Sequence, residues 1–488
     1  MPFGHLSHDR YDLALVGTGF ASTFFLHRFL QHAPPDARVA VLERGTFWDH
    51  ARRVRERRNS PFAADNGYRA TGAAGKPWVF TLGFGGGSNC WWANTPRMLP
   101  DDFQTRSRFG VGHDWPILYG DLAPFYDEAE AIMAVSGPAD GSPAPRARGF
   151  PQPPHRMNGP ERLLKRAYPD AFFAAPTARA RVATRARPAC CGNGVCHLCP
   201  VDAKFTVENG LMDAYRDPRV TVVLEAPAEA VETAAGRADA VVYRRGEGHR
   251  RVRANLVALG ANALFNPVLL ERSGLHHPLL GRRLHEQVGL RAEAFLDGVD
   301  GFDGSTSVTG HGYMLYDDPE RRRTLAAGLI ETWNVGLLRR ERGRWRQVLP
   351  VRLVFEDLPL DENRVRFDPA DPARPEARTQ RHSAHLERAL ARAERDLERV
   401  LAPLPVERLS VRGAPEPTEA HIMGTTVMGR DPANSVVDPD GVHHAVRNLL
   451  VLGGSLFPSG APANPTLTIA ALSLRAAARL HASGTAIG

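Results

Sequence analysis

Near its start the chain reads Tyr11-Asp12-Leu13-Ala14-Leu15-Val16-Gly17-Thr18-Gly19-Phe20-Ala21-Ser22. The first half of this stretch is an apolar run that predicts a buried strand, and the apolar spacing from Phe20 to Gln31 predicts a helix. Between them, Gly17 permits a tight turn, and Gly19 lets the backbone approach a pyrophosphate at the positive end of the helix. Ser22 replaces the third glycine of the usual fingerprint and is still small enough for close helix–strand packing. The stretch therefore predicts a dinucleotide-binding turn.

An acidic residue supports this interpretation. Arg38 to Leu42 predicts a second short strand, which ends at Glu43. A carboxylate in this place accepts hydrogen bonds from ribose hydroxyls and disfavours a 2′-phosphate. Strand, turn, helix, strand and acid together predict a Rossmann-like βαβ unit, without distinguishing NAD from FAD.

Composition and charge exclude several classes of partner. The chain has 488 residues and a net charge of +7. Its basic residues alternate with acidic ones, as from Glu387 to Arg399, which is typical of a solvated helix face rather than of a nucleic-acid surface. No run approaches the ~20 apolar residues of a membrane span, and no secretory signal opens the sequence. We therefore expect a cytoplasmic protein, and periplasmic export together with a partner chain stays open.

Further motifs resemble those of the glucose–methanol–choline (GMC) oxidoreductases. In chain order they are Gly83–Arg97, Asp114–Leu122, Ala228–Val231, Val257–Ala261, Gly281–Glu286, His421–Gly429, Asn448–Ser455 and Ala463–Ile469. They follow the order of the family and extend over nearly the whole chain. The resemblance implies an FAD-dependent enzyme that oxidises an alcohol.

Two features narrow the resemblance within that family. The segments around Asn89 and Asn464 look most like pyranose oxidase, and the paired cysteines followed by Cys199-Pro200-Val201-Asp202 look more like the flavin subunits of bacterial sugar dehydrogenases. The implied substrate is a small-molecule alcohol, a sugar or glycoside. An electron-accepting partner or small subunit is also implied.

The resemblance and the strand patterns together predict an α/β (α+β overall) fold. We expect a Rossmann-like FAD-binding domain of discontinuous segments, 1–288 and 416–488, with loop and cysteine insertions at about 105–205. Residues 289–415 are expected to form an inserted antiparallel β-sheet domain for the substrate. An amphipathic helix is predicted from about Thr379 to Leu401 and another from Thr466 to Ala482.

Two residues are candidates for the chemistry. Oxidising an alcohol to a carbonyl needs a base for the hydroxyl proton and an acceptor for hydride. His421 can serve as the base, since an unperturbed histidine has a pKa of ~6.5, and Asn464 can orient the substrate oxygen. The resemblance implies that this pair faces the reactive nitrogen of the flavin.

The cofactor itself is expected to contact residues from four parts of the chain. They are Gly17, Gly19, Phe20, Ala21, Glu43, Arg44, Gly86, Ser88, Asn89, Cys90, Val231, Gly454, Ser455, Pro465 and Thr466. Cys90 occupies the place of a histidine that is linked to FAD in pyranose oxidase, so a thioether is one interpretation. We expect the alternative, a thiol against non-covalent FAD.

Four of the five cysteines are clustered, at Cys190, Cys191, Cys196 and Cys199. Thiolates this close suit an iron–sulfur cluster or Zn²⁺, and the resemblance to sugar dehydrogenase subunits favours a three-iron cluster that passes electrons to a carrier. However, only two residues separate the last two cysteines, fewer than in that group. A vicinal disulfide and four buried thiols are the alternatives.

Two other functions stay open. The alcohol could be a compound other than a sugar, because a fold does not fix its substrate. A non-catalytic electron-transfer subunit would be expected to lack the histidine–asparagine pair, and this chain has both residues.

Overall fold

The βαβ unit lies at the centre of the molecule. In the computed structural model, which describes residues 3–63 and 67–482, it consists of strand β1 (Tyr11–Val16), helix α1 (Phe20–His32) and strand β2 (Val39–Leu42). The two strands pair in parallel, with Val16 opposite Leu42. Both are almost wholly buried, because a parallel sheet is covered on both faces. The predicted unit is thus confirmed to within one residue at each end.

The other elements of the described chain follow in order. The strands are β3 (Arg69–Thr71), β4 (Phe172–Ala174), β5 (Val220–Val223), β6 (Ala228–Ala234), β7 (Arg237–Arg245), β8 (Gly248–Leu259), β9 (Val288–Leu296), β10 (Val308–Leu315), β11 (Gly328–Trp333), β12 (Val348–Phe355), β13 (Arg364–Arg366), β14 (Glu376–Arg378), β15 (Val406–Val411) and β16 (Leu449–Val451). The helices are α2 (His50–Glu56), α3 (Thr105–Phe109), α4 (Tyr119–Met133), α5 (Gly159–Ala167), α6 (Val207–Gly210), α7 (Met212–Arg216), α8 (Asn262–Arg272), α9 (Pro319–Arg322), α10 (Ala384–Leu390), α11 (Ala393–Leu401) and α12 (Thr466–Ala482).

A seven-stranded sheet holds the glycine turn. Its order is β5-β2-β1-β8-β7-β6, and β16 also pairs with β8. The strands next to β1 run parallel to it, whereas β6 and β7 form an antiparallel extension on the first half of β8. Helices α1 and α12 pack against each other beside this sheet. The turn after β1 therefore opens at the carboxyl edge of a parallel sheet, where nucleotides bind in such folds.

A six-stranded antiparallel sheet faces it across a cavity. Its order is β15-β9-β12-β11-β10-β4. One face is closed by α10 and α11, whose apolar residues, such as Leu386 and Leu397, are buried against Leu290 and Leu353. The other face carries polar side chains that line the cavity. This arrangement, with a second sheet opposite a Rossmann-like one, confirms the expected fold class.

The two sheets are not built from separate lengths of chain. Strand β4 comes from the segment predicted to bind the cofactor, yet it pairs with β10 at the edge of the six-stranded sheet. Strand β3 pairs in parallel with β14, which itself pairs with β13 in a small three-stranded sheet. The early strands β4 and β3 therefore complete the six-stranded and the three-stranded sheet, whose other strands lie between residues 288 and 411.

The helix predicted from Thr379 to Leu401 is interrupted in the structure. Its first part, α10, begins after Ser383, whose side chain accepts a hydrogen bond from Leu386 N and caps the helix. The chain then leaves regular helical geometry at Arg392, where φ is −107° and ψ is −6°, and continues as α11. The apolar stripe stays on one face, so the sequence period was right and the continuity was wrong.

No helix in residues 3–63 and 67–482 is long and apolar enough to cross a membrane.

Candidate active site

A cavity of about 1230 Å³ lies between the two large sheets. Pockets for drug-sized ligands reach about 1,000 Å³, so this one has room for a dinucleotide and a small second molecule. The glycine turn and Glu43 line it, and so do His421 and Asn464. The cavity thus joins the predicted cofactor turn to the predicted catalytic pair.

The glycine turn is shaped by contacts that a larger side chain would break. Gly17 has a φ of +88°, and an added Cβ would lie 2.6 Å from the carbonyl oxygen of Gly260. Gly19 is different, because an added Cβ there meets no atom within 4 Å. Gly19 is also the N-cap of α1 and provides no side-chain cap, which leaves the first amide groups of the helix free to donate to an anion. Ser22 Oγ donates to Val16 O at 3.1 Å, which ties helix to strand.

Glu43 is held beside this turn in a fixed orientation. Its Oε2 accepts a hydrogen bond from Thr18 Oγ1 at 2.6 Å, and its Oε1 accepts one from Gly45 N at 2.8 Å. Each carboxylate oxygen keeps a lone pair for a further donor, so the group fits the ribose diol of a dinucleotide. Arg44 lies next to it, with its guanidinium 4.9 Å from the ring centre of Phe265.

The other predicted cofactor residues divide into two groups. Those that line the cavity are Phe20, Ala21, Arg44, Gly86, Cys90, Gly454, Pro465 and Thr466. Four others, Ser88, Asn89, Val231 and Ser455, lie behind the wall and contact backbone or neighbouring side chains. Ser88 donates to Gly85 O and Asn89 to Phe84 O. Val231 N donates to Ser273 Oγ, and Ser455 accepts a hydrogen bond from Asn266. The cavity is also lined by Pro227, Ala228 and Glu229, so the strand was identified correctly but Val231 is not among the lining residues.

His421 is fixed through its backbone and its ring. Its amide N donates to Glu286 Oε2 at 3.0 Å, and Glu286 forms a buried ion pair with Lys76. Its Nδ1 lies 3.0 Å from Gln287 Oε1. Burial, and to a smaller extent the nearby Arg352, lower the pKa of His421 to about 3. The ring is therefore neutral at ordinary pH and able to accept a proton.

Gln287 determines which ring nitrogen of His421 accepts the proton. The Nε2 group of Gln287 donates to two backbone carbonyls, Ala461 O at 2.7 Å and Ala463 O at 2.9 Å. Its Oε1 must then face His421 as an acceptor, so Nδ1 carries the hydrogen. The lone pair of neutral His421 is on Nε2. Gln287 was missed in the sequence, although it directly follows the Gly281–Glu286 motif.

Asn464 contacts another residue that sequence reasoning missed. Glu331, in β11, accepts a hydrogen bond from Asn94 Nδ2 at 2.9 Å, and the Asn464 carboxamide lies beside it and favours its charged form. The Asn464 Oδ1 atom is buried and has no hydrogen-bond partner within the described chain. A buried acceptor without a donor costs free energy, so this orientation of the carboxamide must be held by its other contacts.

The six-stranded sheet presents charged groups to the same cavity. In the register of the sheet, Glu331 lies opposite Arg352, and Arg352 opposite Arg291. Arg352 forms an ion pair with Glu419 at 2.6 Å. Burial, with Glu331 and Glu286 nearby, raises the pKa of Glu419 to about 8 despite this arginine. Such a wall suits a polar ligand with several hydrogen-bonding groups rather than an apolar one.

The structure does not support a metal site at the cysteine cluster. Its members are Cys190, Cys191, Cys196 and Cys199. Cys190 Sγ lies 3.4 Å from Thr306 Oγ1 and Cys196 Sγ 2.9 Å from Ser307 Oγ, so these two thiols each contact a hydroxyl, and Cys191 is exposed. Burial also raises the pKa of Cys196, which favours the thiol over the thiolate that metals need.

The interpretation of these cysteines changes accordingly. Within residues 3–63 and 67–482, no three or more His, Cys, Asp and Glu side chains are grouped so that they could hold a metal ion. The expected iron–sulfur cluster and the Zn²⁺ alternative are therefore not supported. All five cysteines are free, which also contradicts a vicinal disulfide.

Known proteins resemble the chain over most of its length. Residues 174–289 match the N-terminal part and residues 359–473 the C-terminal part of the family described as GMC oxidoreductase. The fructose dehydrogenase large subunit of Gluconobacter japonicus is 26% identical over 96% of this chain and 97% of its own length. Paromamine 6'-oxidase of Streptomyces fradiae is 29% identical over 83% of this chain and 79% of its own length.

Solved structures agree with the fold described above. The crystal structure of pyridoxine 4-oxidase from Mesorbium loti matches with a TM-score of 0.65 at 18% identity. The match covers 97% of this chain and 99% of that one. At this level of identity the likeness concerns the fold alone.

Proposed function

Because this chain belongs to the GMC oxidoreductase family, we propose that it uses FAD to oxidise an alcohol group of a sugar or glycoside to a carbonyl. The observation that carries the proposal is that His421 and Asn464 line the same cavity as the dinucleotide turn. Because this space is continuous, a hydroxyl beside the pair can also lie beside a cofactor held by the turn.

The residues present fit FAD. The free amides at the start of α1 would hold the pyrophosphate, and Glu43 would hold the ribose. Cys90 lines the cavity and its Sγ lies 3.6 Å from Gly87 O, which is consistent with an unlinked thiol. Bound FAD would supply the acceptor for the hydride of the carbinol carbon.

The proton of the substrate hydroxyl is assigned to His421. Its Nε2 lone pair is available because Gln287 occupies Nδ1. The low pKa keeps the ring neutral before the reaction, and Glu286 holds the backbone at this point. Asn464 has a side-chain N–H to donate to the same oxygen as negative charge develops there.

The charged wall supports a sugar as the substrate. Arg352 and Arg291 lie side by side on the sheet opposite the cofactor turn, with Glu419 beside Arg352, and polyhydroxylated molecules match such donors and acceptors. The names of two relatives also concern a sugar and an aminoglycoside. A separate electron-accepting subunit and a cytoplasmic location stay predictions from the sequence.

The test is anaerobic mixing of the FAD-loaded protein with single alcohols. We expect aldoses, ketoses or their glycosides to bleach the visible absorbance of the flavin faster than simple aliphatic alcohols at equal concentration. Mass spectrometry of the product should show the loss of two hydrogens. Bleaching by aliphatic alcohols and by no sugar would replace the proposal with a GMC-type enzyme for a non-sugar alcohol.

Gln287 gives a second expected result. Gln287→Met keeps the size of the side chain but leaves His421 Nδ1 without its acceptor, so the ring no longer holds one tautomer. We expect the limiting rate of flavin reduction to fall by about 10- to 100-fold, because the base is misoriented, with bound FAD unchanged. Stopped-flow absorbance measures both. A variant as fast as the wild type would show that His421 is oriented without Gln287.

A further inference from the structure

Glu331 links the catalytic asparagine to a buried chain of polar groups. This carboxylate is 3% exposed and lines the cavity. It accepts a hydrogen bond from Asn94 Nδ2 at 2.9 Å, and the Asn464 carboxamide lies beside it and favours its charged form. The inference drawn from these contacts rests on the proposed function, since it concerns the same reaction.

The orientation of Asn94 is fixed from the far side. Arg179 is buried, and its two terminal nitrogens donate to Asn94 Oδ1, each at 3.2 Å. Arg179 is itself held by Thr306 Oγ1 at 2.7 Å and Val308 O at 3.1 Å. With its oxygen occupied, Asn94 can present only its NH₂ group to Glu331, so the carboxylate is held by a rigid donor.

The orientation of Asn464 follows from the same rule. A carboxylate only accepts hydrogen bonds, so the group of Asn464 that faces Glu331 is Nδ2. This leaves one N–H of Asn464 and its Oδ1 for other partners, and Oδ1 is the buried atom without a partner in the described structure. A carboxamide turned the other way would direct its oxygen at the carboxylate, and the two acceptors would repel each other.

Glu331 is not committed to a cation. Among the described residues its nearest basic contact within 4.0 Å is His311 Nε2, at 3.9 Å. Burial lowers the pKa of His311 to about 3, so that ring is neutral. Burial also raises the pKa of Glu331, and Arg352, Asn94, Arg179 and Asn464 oppose this effect. The carboxamides of Asn94 and Asn464 are therefore the neighbouring donors that favour the carboxylate.

We propose that Glu331 is a positioning residue for the oxidation: it holds the Asn464 carboxamide so that its free N–H donates to the substrate oxygen while His421 Nε2 takes the proton. Glu331 acts through Asn464 and not by binding the substrate. The alcohol loses its hydroxyl proton to His421 and its carbon-bound hydrogen, as hydride, to the oxidised cofactor. Glu331 keeps its protonation state throughout.

The test is a double-mutant cycle with Glu331→Gln and Asn464→Ala, in the FAD-loaded full chain. The limiting rate of anaerobic flavin reduction and the apparent Kd of the alcohol are measured for the wild type, both single variants and the double variant. We expect Glu331→Gln to lower the limiting rate by about 10- to 100-fold and to change Kd by less than about threefold. In the Asn464→Ala background, Glu331→Gln should have no further effect.

Two results would overturn the proposal. An increase in Kd with an unchanged limiting rate would mean that Glu331 binds the substrate. Rate losses that multiply in the double variant would mean that Glu331 acts independently of Asn464. Should Glu331→Gln lose FAD, Glu331→Asp, which keeps the carboxylate, takes its place in the same cycle.

A matched control separates this effect from general damage to β11. Glu161 is also a buried carboxylate, and it accepts hydrogen bonds from Thr309 Oγ1 and Thr332 Oγ1, both at 2.6 Å. Thr332 is the neighbour of Glu331, and Glu161 is not among the residues that line the cavity. Glu161→Gln should reduce its flavin within about threefold of the wild-type rate. The cycle uses whichever alcohol bleaches the flavin of the wild type. A non-sugar substrate would therefore contradict the proposed function and leave this inference testable.

Discussion

His421→Ala is expected to slow the reduction of bound FAD by about 10²- to 10⁴-fold at pH 7, the range that a general base contributes. The alanine removes the Nε2 acceptor for the hydroxyl proton. It leaves the backbone contact with Glu286 and the dinucleotide turn unchanged. The protein should therefore stay yellow. Stopped-flow absorbance under anaerobic conditions measures the rate, and the flavin-to-protein ratio measures retention of the cofactor.

The pH dependence adds a second criterion. Because the pKa of His421 is lowered to about 3 by burial, the base stays deprotonated as the pH falls. The wild-type limiting rate should show no acid limb between about pH 5 and 8. His276 is exposed, and His276→Ala serves as the matched control with a wild-type rate and pH profile. A His421→Ala protein that reduces its flavin at the wild-type rate would refute the assignment of the base.

The second large effect concerns the glycine turn, where two substitutions should fail for different reasons. Gly17→Ala places a Cβ 2.6 Å from Gly260 O at a φ of +88°. Such a backbone strain costs about 1–3 kcal/mol, so we expect a lower Tm even without FAD. Gly19→Ala meets no protein atom within 4 Å and should keep the Tm of the FAD-free protein. Its methyl group instead enters the space of the pyrophosphate, and FAD affinity should fall by about 100-fold, or about 2.8 kcal/mol.

Thermal unfolding of the FAD-free proteins and fluorescence titration with FAD separate the two effects. Gly274→Ala is a useful reference, since Gly274 also has a positive φ, +72°, with no atom within 4 Å of an added Cβ. It should show the backbone strain alone. Wild-type FAD affinity in Gly19→Ala would contradict the placement of the pyrophosphate at the start of α1.

Local patterns in the sequence predicted the cofactor end of the site well. Strand β1, helix α1 and strand β2 follow from apolar spacing and two glycines, and α12 begins at Thr466 and ends at Ala482 as expected. These elements are determined by neighbours in the chain. Motifs were less informative about the direction in which side chains point. Ser88 and Asn89 belong to a loop that borders the cavity, yet both side chains lie behind its wall. A motif marks where a loop passes and not which side chains it turns inward.

The substrate end depends on distant pairings that no local pattern carries. Gln287 meets His421 from 134 positions away, and Asn94 meets Glu331 from 237. Glu331 and Arg352 become neighbours only through the register of β11 and β12. In the sequence, Glu331 was one glutamate in a β-like region. The closely spaced cysteines gave the opposite error, because nearness in sequence was taken for convergence in space.

The edge strand β4 has a consequence for protein engineering. Residues 172–174 pair with β10, so a cassette of residues 288–411 transplanted into a relative would arrive without one strand of its sheet. Its β10 edge would then present unpaired amides and carbonyls, which invite association with other chains. Exchanging substrate preference between relatives by recombination would therefore require two exchanged segments, one of which carries β4. Point changes in the cavity-facing row of β9, β11 and β12 leave the pairing of β4 with β10 intact and are the better route to altered selectivity.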